Sequence, residues 1–231
     1  MKCNKCIPII LGVVLCLSSA ARSNITNGGF EDGSPLGVGI LDLAGWTATG
    51  AHPYFVGGPA AVDFEVSRDW IAPAPDWTAK EGNYFASLWS TDHTTHFSTL
   101  SQTFTANAGL TLTFDYFFDF GDYGSLDEWD SAEATLTWST GSAYLFEYNT
   151  NNSGSGIYLD DDQNIGWTAV TYVLPGPGTY TLQFKTVDGP SGSFESILGI
   201  DNVQVIPAPG AILLGSIGIG LVGLLRRRRT L

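Results

Sequence analysis

The residues best suited to chemistry in this chain are acidic. In "DDDQNIGW", Asp160, Asp162 and Asn164 have the one-three-five oxygen spacing of calcium-binding loops. The same segment has Ile165 where an EF-hand requires glycine, and Thr171 where a bidentate glutamate closes the site. We therefore interpret it as an acidic surface turn, with calcium binding as the alternative.

Catalytic signatures are missing from the sequence. His93 and His96 form an H-x-x-H pair without the HExxH frame, and on a strand that spacing points the rings to opposite faces, so we expect a surface pair and no zinc site. Pairs of carboxylates do not identify a glycosidase, because with 23 acidic residues some pair will fit any loose spacing of two catalytic acids. No GxSxG, Walker A or Rossmann fingerprint occurs. The sequence predicts a protein that is not an enzyme, with a secreted glycan-active hydrolase as the alternative.

Tryptophans provide the best candidates for ligand contacts. Exposed aromatic rings stack on the faces of sugars, and Trp70, Trp77 and Trp129 lie in predicted loops. Trp46 and Trp167 each follow a glycine at a predicted strand start, and we expect both rings to fill the core. Glycan binding through the first three residues is the resulting hypothesis.

The elements that position these residues are predicted to be strands. Apolar residues alternate with polar ones over 110–118, which is the period-two pattern of a half-buried strand. Turn-forming Gly, Pro and Asn separate this run from the others, whereas 51–80 is predicted to be one long irregular excursion. The predicted strands are 82–90, 100–106, 110–118, 132–139, 142–148, 168–174, 180–187 and 197–205. The fold class is therefore all-β, as one β-sandwich or jelly roll.

Charge narrows the choice of partner. All 23 acidic residues lie between Glu31 and Asp201, where only Arg68, Lys80 and Lys185 are basic, so the formal charge of this region is −20. Such a field repels nucleic acid and attracts cations, which excludes nucleic acid as the partner. Solubility and calcium binding are both compatible with this acidity.

The first 23 residues have the layout of a secretory signal peptide. Lys2 and Lys5 precede an apolar stretch and then small residues, with cleavage possible after Ala20, Ala21 or Ser23. All three cysteines fall in this segment, so the mature chain contains no thiol and depends on its core, on a metal or on both. Export by the Sec machinery and cleavage by signal peptidase are expected.

The last 26 residues have the features of a membrane anchor. An uncharged stretch from 206 to 225 is about 30 Å long as a helix, enough to cross a bilayer, and a cluster of four arginines holds its end on the cytoplasmic side. These arginines are Arg226, Arg227, Arg228 and Arg229. The order of proline motif, apolar helix and arginine cluster resembles the PEP-CTERM sorting signal. The proline motif is Pro207, Ala208 and Pro209, with Ala208 replacing the usual glutamate. The resemblance implies processing by an exosortase-like enzyme.

The region between the two termini resembles galactose-binding-like jelly-roll domains of exported bacterial proteins. "NGGFED", "LSQTF", "LTFDYFF", "GWTAVTYVLPGPGTYTLQF" and "ESILGIDNV" are similar in that order. The resemblance implies that the first and last strands lie side by side, with a structural calcium between Glu31 and Asp201. Two carboxylates need carbonyls or water to complete a calcium shell, and the alternative is that both bind turn amides.

The sequence thus predicts a signal peptide (1–23), a jelly-roll domain (24–205) and a sorting tail with a transmembrane helix (206–231). The predicted protein is non-catalytic, contains structural calcium, and is held in the cell membrane before release to the surface or matrix. Extracellular polysaccharide is the expected partner. A purely structural coat protein is the further alternative.

Overall fold

The computed structural model describes residues 25–32, 44–50, 52–57, 78–89, 97–119, 130–149, 157–158, 165–187 and 196–207. These residues contain eleven β-strands and no helix. The strands are β1 (Thr47–Gly50), β2 (His52–Gly57), β3 (Tyr84–Trp89), β4 (Phe97–Ala106), β5 (Leu110–Asp119), β6 (Ser131–Trp138), β7 (Gly141–Asn149), β8 (Ile157–Tyr158), β9 (Ile165–Val173), β10 (Gly178–Val187) and β11 (Ile197–Pro207).

The strands form two sheets. The six-stranded sheet has the order β1-β4-β10-β6-β7-β8, and the five-stranded sheet has the order β2-β3-β11-β5-β9. All neighbours are antiparallel except β7 and β8. The prediction of an all-β sandwich of the jelly-roll class is confirmed for the described part of the chain.

The core lies between the two sheets and is rich in aromatic rings. Tyr116 of β5 stacks on Phe146 of β7 with ring centroids 3.9 Å apart, and its hydroxyl bonds the Tyr148 hydroxyl at 2.8 Å. Burial raises the pKa of Tyr116, and the bond to Tyr148 raises it further. Trp46 is also buried here against Phe30, as the sequence predicted. Ring packing and one buried hydroxyl pair therefore join the sheets.

The outer face of the six-stranded sheet carries hydroxyl side chains. Along most of β4 and β10 the apolar residues point inward, and on the outer face Thr103 lies opposite Thr181, with their hydroxyls 2.9 Å apart. Thr49 and Thr99 bond in the same way at 2.5 Å. This is the polar-out alternation expected of an antiparallel sheet with one solvated face.

The outer face of the five-stranded sheet is covered. Phe85, Phe117 and Ile197 form a second buried cluster there, with Ala79, Trp89 and Trp167 packed against it. Accordingly β5 is buried along almost all of its length on both faces. The prediction of a half-buried strand at 110–118 was wrong, because alternation reports one apolar face but not what covers the other.

Eight predicted strands are confirmed as β3, β4, β5, β6, β7, β9, β10 and β11. Three short strands, β1, β2 and β8, were not predicted. The prediction of an irregular segment over 51–80 was wrong at β2, which pairs along its whole length with β3. Its "HPYFVG" sequence contains Pro53, which is compatible with an edge strand and hides the strand pattern.

The termini fall largely outside the described residues. Within the described ranges, the structure contains no helix of the length and hydropathy that a membrane crossing needs. Of the predicted sorting motif, only Pro207 is described, as the last residue of β11 opposite Leu110 of β5. The other predicted features of the termini lie outside these ranges: the signal peptide, Ala208, Pro209, Arg226, Arg227, Arg228 and Arg229. The anchor and its arginine cluster therefore stay predictions.

Candidate functional site

Asp201 accepts hydrogen bonds from the turn that precedes β3. Its Oδ2 accepts the backbone N–H groups of Lys80 (2.8 Å) and Glu81 (2.9 Å), and its Oδ1 accepts that of Asn202 (2.7 Å). The side chain is completely buried. A buried carboxylate with three amide donors is an anchor, since removing it leaves those donors without an acceptor.

Glu31 holds the same turn a few residues further on. Its Oε1 accepts the backbone N–H groups of Asn83 (2.7 Å) and Tyr84 (2.9 Å). The intervening Gly82 has φ +67°, and a Cβ added there would overlap the Glu31 carboxylate. Glycine is therefore required at this position, both by the backbone conformation and by the approach of the carboxylate. We call Glu31, Asp201 and the turn 80–84 the amide clamp.

The segment 25–32 reaches both sheets. Gln102 of β4 bonds both backbone groups of Thr26, at 2.7 and 2.9 Å, and the Val203 N–H of β11 donates to the Gly28 carbonyl at 2.8 Å. The neighbours of β11 in its sheet are β3 and β5, whereas the first described strand, β1, pairs with β4. Among the described strands, the first and the last are therefore not neighbours. Instead, the early acidic segment approaches β11 as an irregular turn.

A second aspartate faces Asp201 across the sheet. Asp115 of β5 is its register partner and accepts the Asn202 side-chain N–H at 3.2 Å. Burial raises the pKa of Asp201 from 3.8 to about 6; its amide bonds oppose the rise and the Asp115 charge adds to it. The two carboxylates therefore lie on neighbouring strands in a buried environment. The pairing of β11 with β5 is also irregular here, because its register shifts between Asp201 and Gln204.

The partners shown for Glu31 and Asp201 are turn amides, which is the alternative that the sequence left open. Calcium takes six to eight oxygen ligands. Among the described residues, no group of three or more His, Cys, Asp or Glu side chains is arranged to hold a metal. The oxygens that remain for a cation are the other lone pairs of these two carboxylates and nearby carbonyls, so calcium at this site stays a prediction.

The amide clamp also positions the cover of the five-stranded sheet. The turn 80–84 directly follows Thr78, whose carbonyl accepts the Trp167 indole N–H at 2.9 Å, and Ala79, which packs on the outer cluster. The Trp167 ring meets Phe117 edge-on at 4.8 Å. Trp167 is therefore half-buried on the outer face, and the prediction that it fills the sandwich core was wrong.

Close packing under this cover requires glycine at 199. A Cβ at this position of β11 would overlap the ring of Phe117, the neighbour across the strand. The ring can lie flat over the bare backbone only because no side chain is present. Gly199 thus allows Phe117 to reach Phe85, with ring centroids 5.6 Å apart.

The two ends of the sandwich differ. At one end, the turn end, the connections are short: 139–140 joins the paired strands β6 and β7, whereas 107–109 and 174–177 cross from one sheet to the other. From the other, the loop end, longer segments leave, and they contain ten acidic residues and no lysine or arginine; they are 90–96, 120–130, 150–164, which includes the short strand β8, and 188–196. Chemically varied residues are thus concentrated in connections from one end.

Buried polar groups lie at the base of these connections. Ser196, before β11, donates a hydrogen bond to Asp130, before β6, and both side chains are fully buried. Ser98 Oγ donates to the Trp89 carbonyl at 2.5 Å. These bonds join the two sheets at the loop end.

Indole rings and a carboxylate share the outer face there. Ile197 is the register partner of both Trp89 and Asp119, so those residues lie two strands apart, roughly 10 Å, in one row. Trp89 and Trp167 are half-buried, whereas Asp119 is fully buried. The accessible part of each indole can stack on a sugar, whereas the Asp119 carboxylate has no exposed surface.

Most of the sequence-predicted site residues lie outside the described ranges. They are Trp70, Trp77, Trp129, His93, His96, Asp160, Asp162 and Asn164. Glu31 and Asp201 are described and are brought to one turn. Asp115, Asp119 and Asp130 were not predicted as site residues, although an acidic residue on an otherwise buried strand or at its start is a usable signal.

The fold is an all-β sandwich in which residues positioned by the amide clamp cover the outer face of the five-stranded sheet. No family model matches the chain. A curated relative, Expansin-like protein 7 of Dictyostelium discoideum, is 28% identical over 191 residues, which cover 78% of this chain and 33% of the relative. The chain therefore spans about a third of the length of that relative.

Solved structures of similar outline share little sequence with this chain. The carbohydrate-binding module TmCBM61, solved with beta-1,4-galactotriose, is 16% identical, with 80% of this chain and 99% of that chain covered and a TM-score of 0.42. The K2 cleaved adhesin domain of Lys-gingipain is 15% identical, with 81% and 98% covered and a TM-score of 0.41. The non-crystalline cellulose specific module CBM28 is 12% identical, with 79% and 93% covered and a TM-score of 0.39.

Proposed function

We propose that this protein is an exported, non-catalytic binding protein for neutral extracellular polysaccharide. The observation that carries the proposal is the outer face of the five-stranded sheet at the loop end, where the indoles of Trp89 and Trp167 are both half-buried and each keeps part of its surface accessible. Rings supply flat apolar surface for a sugar, and the acidic residues of the connections that leave this end supply hydrogen-bond acceptors for its hydroxyls.

Charge supports a neutral polymer. The region from Glu31 to Asp201 has 23 acidic residues against three basic ones, so it repels uronic-acid or sulfated chains as it repels nucleic acid. Neutral hydroxyl-rich chains meet no such repulsion. The proposed ligand is therefore an uncharged polysaccharide.

The proposed polysaccharide site also includes the three tryptophans that the sequence singled out. Trp129 directly precedes Asp130, which lies at the loop end, and Trp77 directly precedes Thr78, which accepts the Trp167 N–H. Trp70 belongs to the same connection between β2 and β3 as Trp77. We assign these three residues as further sugar contacts.

In the same proposal, the two termini determine the cellular location of the protein. The signal peptide directs the chain to the Sec machinery and signal peptidase, and the tail holds it in the membrane until an exosortase-like enzyme processes it. The protein then acts at the cell surface or in the extracellular matrix. Calcium bound by Glu31 and Asp201 is proposed to stabilise the amide clamp.

The proposal is tested by binding of the full chain, in a non-glycosidic detergent, to a panel of neutral and anionic polysaccharides. Replacing Trp89 or Trp167 by alanine is expected to weaken binding about 3- to 10-fold per ring. Trp138→Ala is the matched control, because that half-buried indole lies at the turn end. Thermal unfolding of each variant separates lost contacts from lost stability.

Other outcomes would point to the alternatives. An equal loss of binding in the Trp138 control would show that the tryptophans act through stability alone. Release of reducing sugar from any polysaccharide would contradict the non-enzymatic assignment and favour a hydrolase. Absence of binding to every polysaccharide would favour a structural coat protein.

A further inference from the structure

The feature that carries a further inference is the edge strand β9. Among the described strands, it pairs only with β5, so its other edge presents backbone N–H and C=O groups without a neighbouring strand. A free edge is a template for another β-strand. β9 includes Trp167, whose ring belongs to the proposed polysaccharide site, so the variants that test the edge change other residues of β9.

The other three edges of the sandwich are poor templates. β1 has 4 residues and ends at Gly50, whose φ is +108°, and β8 has 2 residues. β2 contains Pro53, which lacks the N–H needed to continue a ladder. Short length and proline are the usual protections of sheet edges.

β9 has neither of these protections, and its pairing with β5 is regular from Thr168 to Val173, after a register shift near its start. Its 9 residues, "IGWTAVTYV", include no charged residue and no proline. Thr168, Ala169 and Thr171 are exposed, and Val173 is 63% exposed. The strand is thus long, uncharged and accessible, in contrast to the three protected edges.

We propose that β9 is a self-association edge, which pairs antiparallel with β9 of a second copy of this chain. An isologous contact of this kind places identical strands about a two-fold axis. With Ala169 opposite its own copy, Trp167 faces Thr171 and Thr168 faces Val170. These are pairs of aromatic, β-branched and small residues, which stabilise antiparallel strands, and no like charges meet.

The acidity of the chain sets the conditions for this association. Two copies repel one another, because each has 20 more acidic than basic residues between Glu31 and Asp201. The strands that meet are uncharged, so added salt screens the repulsion without weakening the contact. Association is therefore expected to increase with ionic strength.

The experiment is sedimentation of the full chain in detergent across a range of concentrations and salt. The wild-type chain is expected to dimerise, and Thr171→Lys is expected to weaken dimerisation at least 10-fold by placing two lysines at the edge. Thr137→Lys is the matched control, since Thr137 is exposed on β6, which is paired on both sides. A monomer under all conditions, or a dimer equally stable in both variants, overturns the proposal.

A crosslink tests the register directly. In a chain whose three native cysteines are replaced by serine, Ala169→Cys is expected to form a disulfide between copies on mild oxidation, because paired Cα atoms lie within reach of one. Thr137→Cys is expected to remain reduced. Absence of the Ala169 crosslink, or equal crosslinking at both positions, contradicts the pairing. Neither result depends on polysaccharide binding.

Discussion

The outer faces of the two sheets are built by different means. On the six-stranded sheet, threonine hydroxyls such as those of Thr103 and Thr181 bond across neighbouring strands and remain at the surface. On the five-stranded sheet, Phe85, Phe117 and Ile197 are buried beneath residues that the amide clamp positions. The first face depends on pairs of adjacent strands, whereas the second depends on contacts between distant parts of the chain.

The difference shows where long-range specificity resides. The hydroxyl face needs only alternation of residue types along each strand. The covered face needs Glu31 and Asp201, far apart in sequence, at the same turn, and it needs glycine at 82 and 199. A single substitution is therefore expected to affect the two faces unequally.

The largest expected effect comes from removing the clamp. Asp201→Ala leaves three backbone N–H groups without their acceptor, which is expected to lower the free energy of unfolding by about 3–4 kcal/mol. The matched control is Glu133→Ala, an acidic residue on the outer face of the six-stranded sheet, where a change within about 0.5 kcal/mol is expected. Urea unfolding of both variants measures the difference, and equal losses would remove the distinction between the faces.

A smaller effect is expected at Gly199. Gly199→Ala forces Phe117 away from the backbone that it covers, at a cost of about 2–3 kcal/mol. Gly178→Ala at the start of β10 is the control, because the nearest atom to an added Cβ there is Tyr180 Cε2 at 3.8 Å. Thermal unfolding is the measurement. A neutral Gly199 variant would mean that the cover is not closely packed.

The smallest effect is the pH dependence of the clamp in calcium-free buffer. Burial raises the pKa of Asp201 from 3.8 to about 6, so the folded protein binds a proton more tightly than the unfolded chain. This contribution is fully present below pH 4 and is lost as the pH rises from about 4 to 6. A loss on the order of 1–2 kcal/mol is expected across that window.

The Asp201→Asn variant is the control for this measurement. An asparagine does not titrate, so proton binding at position 201 no longer changes the free energy of unfolding with pH. Comparing wild type and variant at pH 4 and pH 6, with and without calcium, also tests the metal. Calcium at the clamp favours the ionised carboxylate and would reverse the trend. Identical pH profiles in calcium and in chelator would contradict the calcium prediction.

Strands were the most predictable part of this fold. Runs such as 100–106 and 180–187 alternate cleanly, and one face of each packs on the core, so the local pattern is sufficient. β2 was missed because it contains a proline. The covered face of β5 was missed because Phe117 and Asp119 acquire their burial from distant residues.

The site was only partly predictable for the same reason. Glu31 and Asp201 were singled out together through resemblance, but their shared turn at 80–84 has no sequence signal apart from Gly82. Asp115 looks like an ordinary polar residue of an alternating strand until its register places it opposite Asp201. Pairings of this kind depend on register, which the local sequence does not encode.

The place of β11 in the sheet has a consequence for biogenesis. The chain is synthesised from its N-terminus, yet β11, the last described strand, lies in the centre of the five-stranded sheet between β3 and β5. That sheet cannot close, and Asp201 cannot hold its turn, until the chain has emerged as far as β11. The five-stranded sheet therefore completes its folding only after β11 has been synthesised.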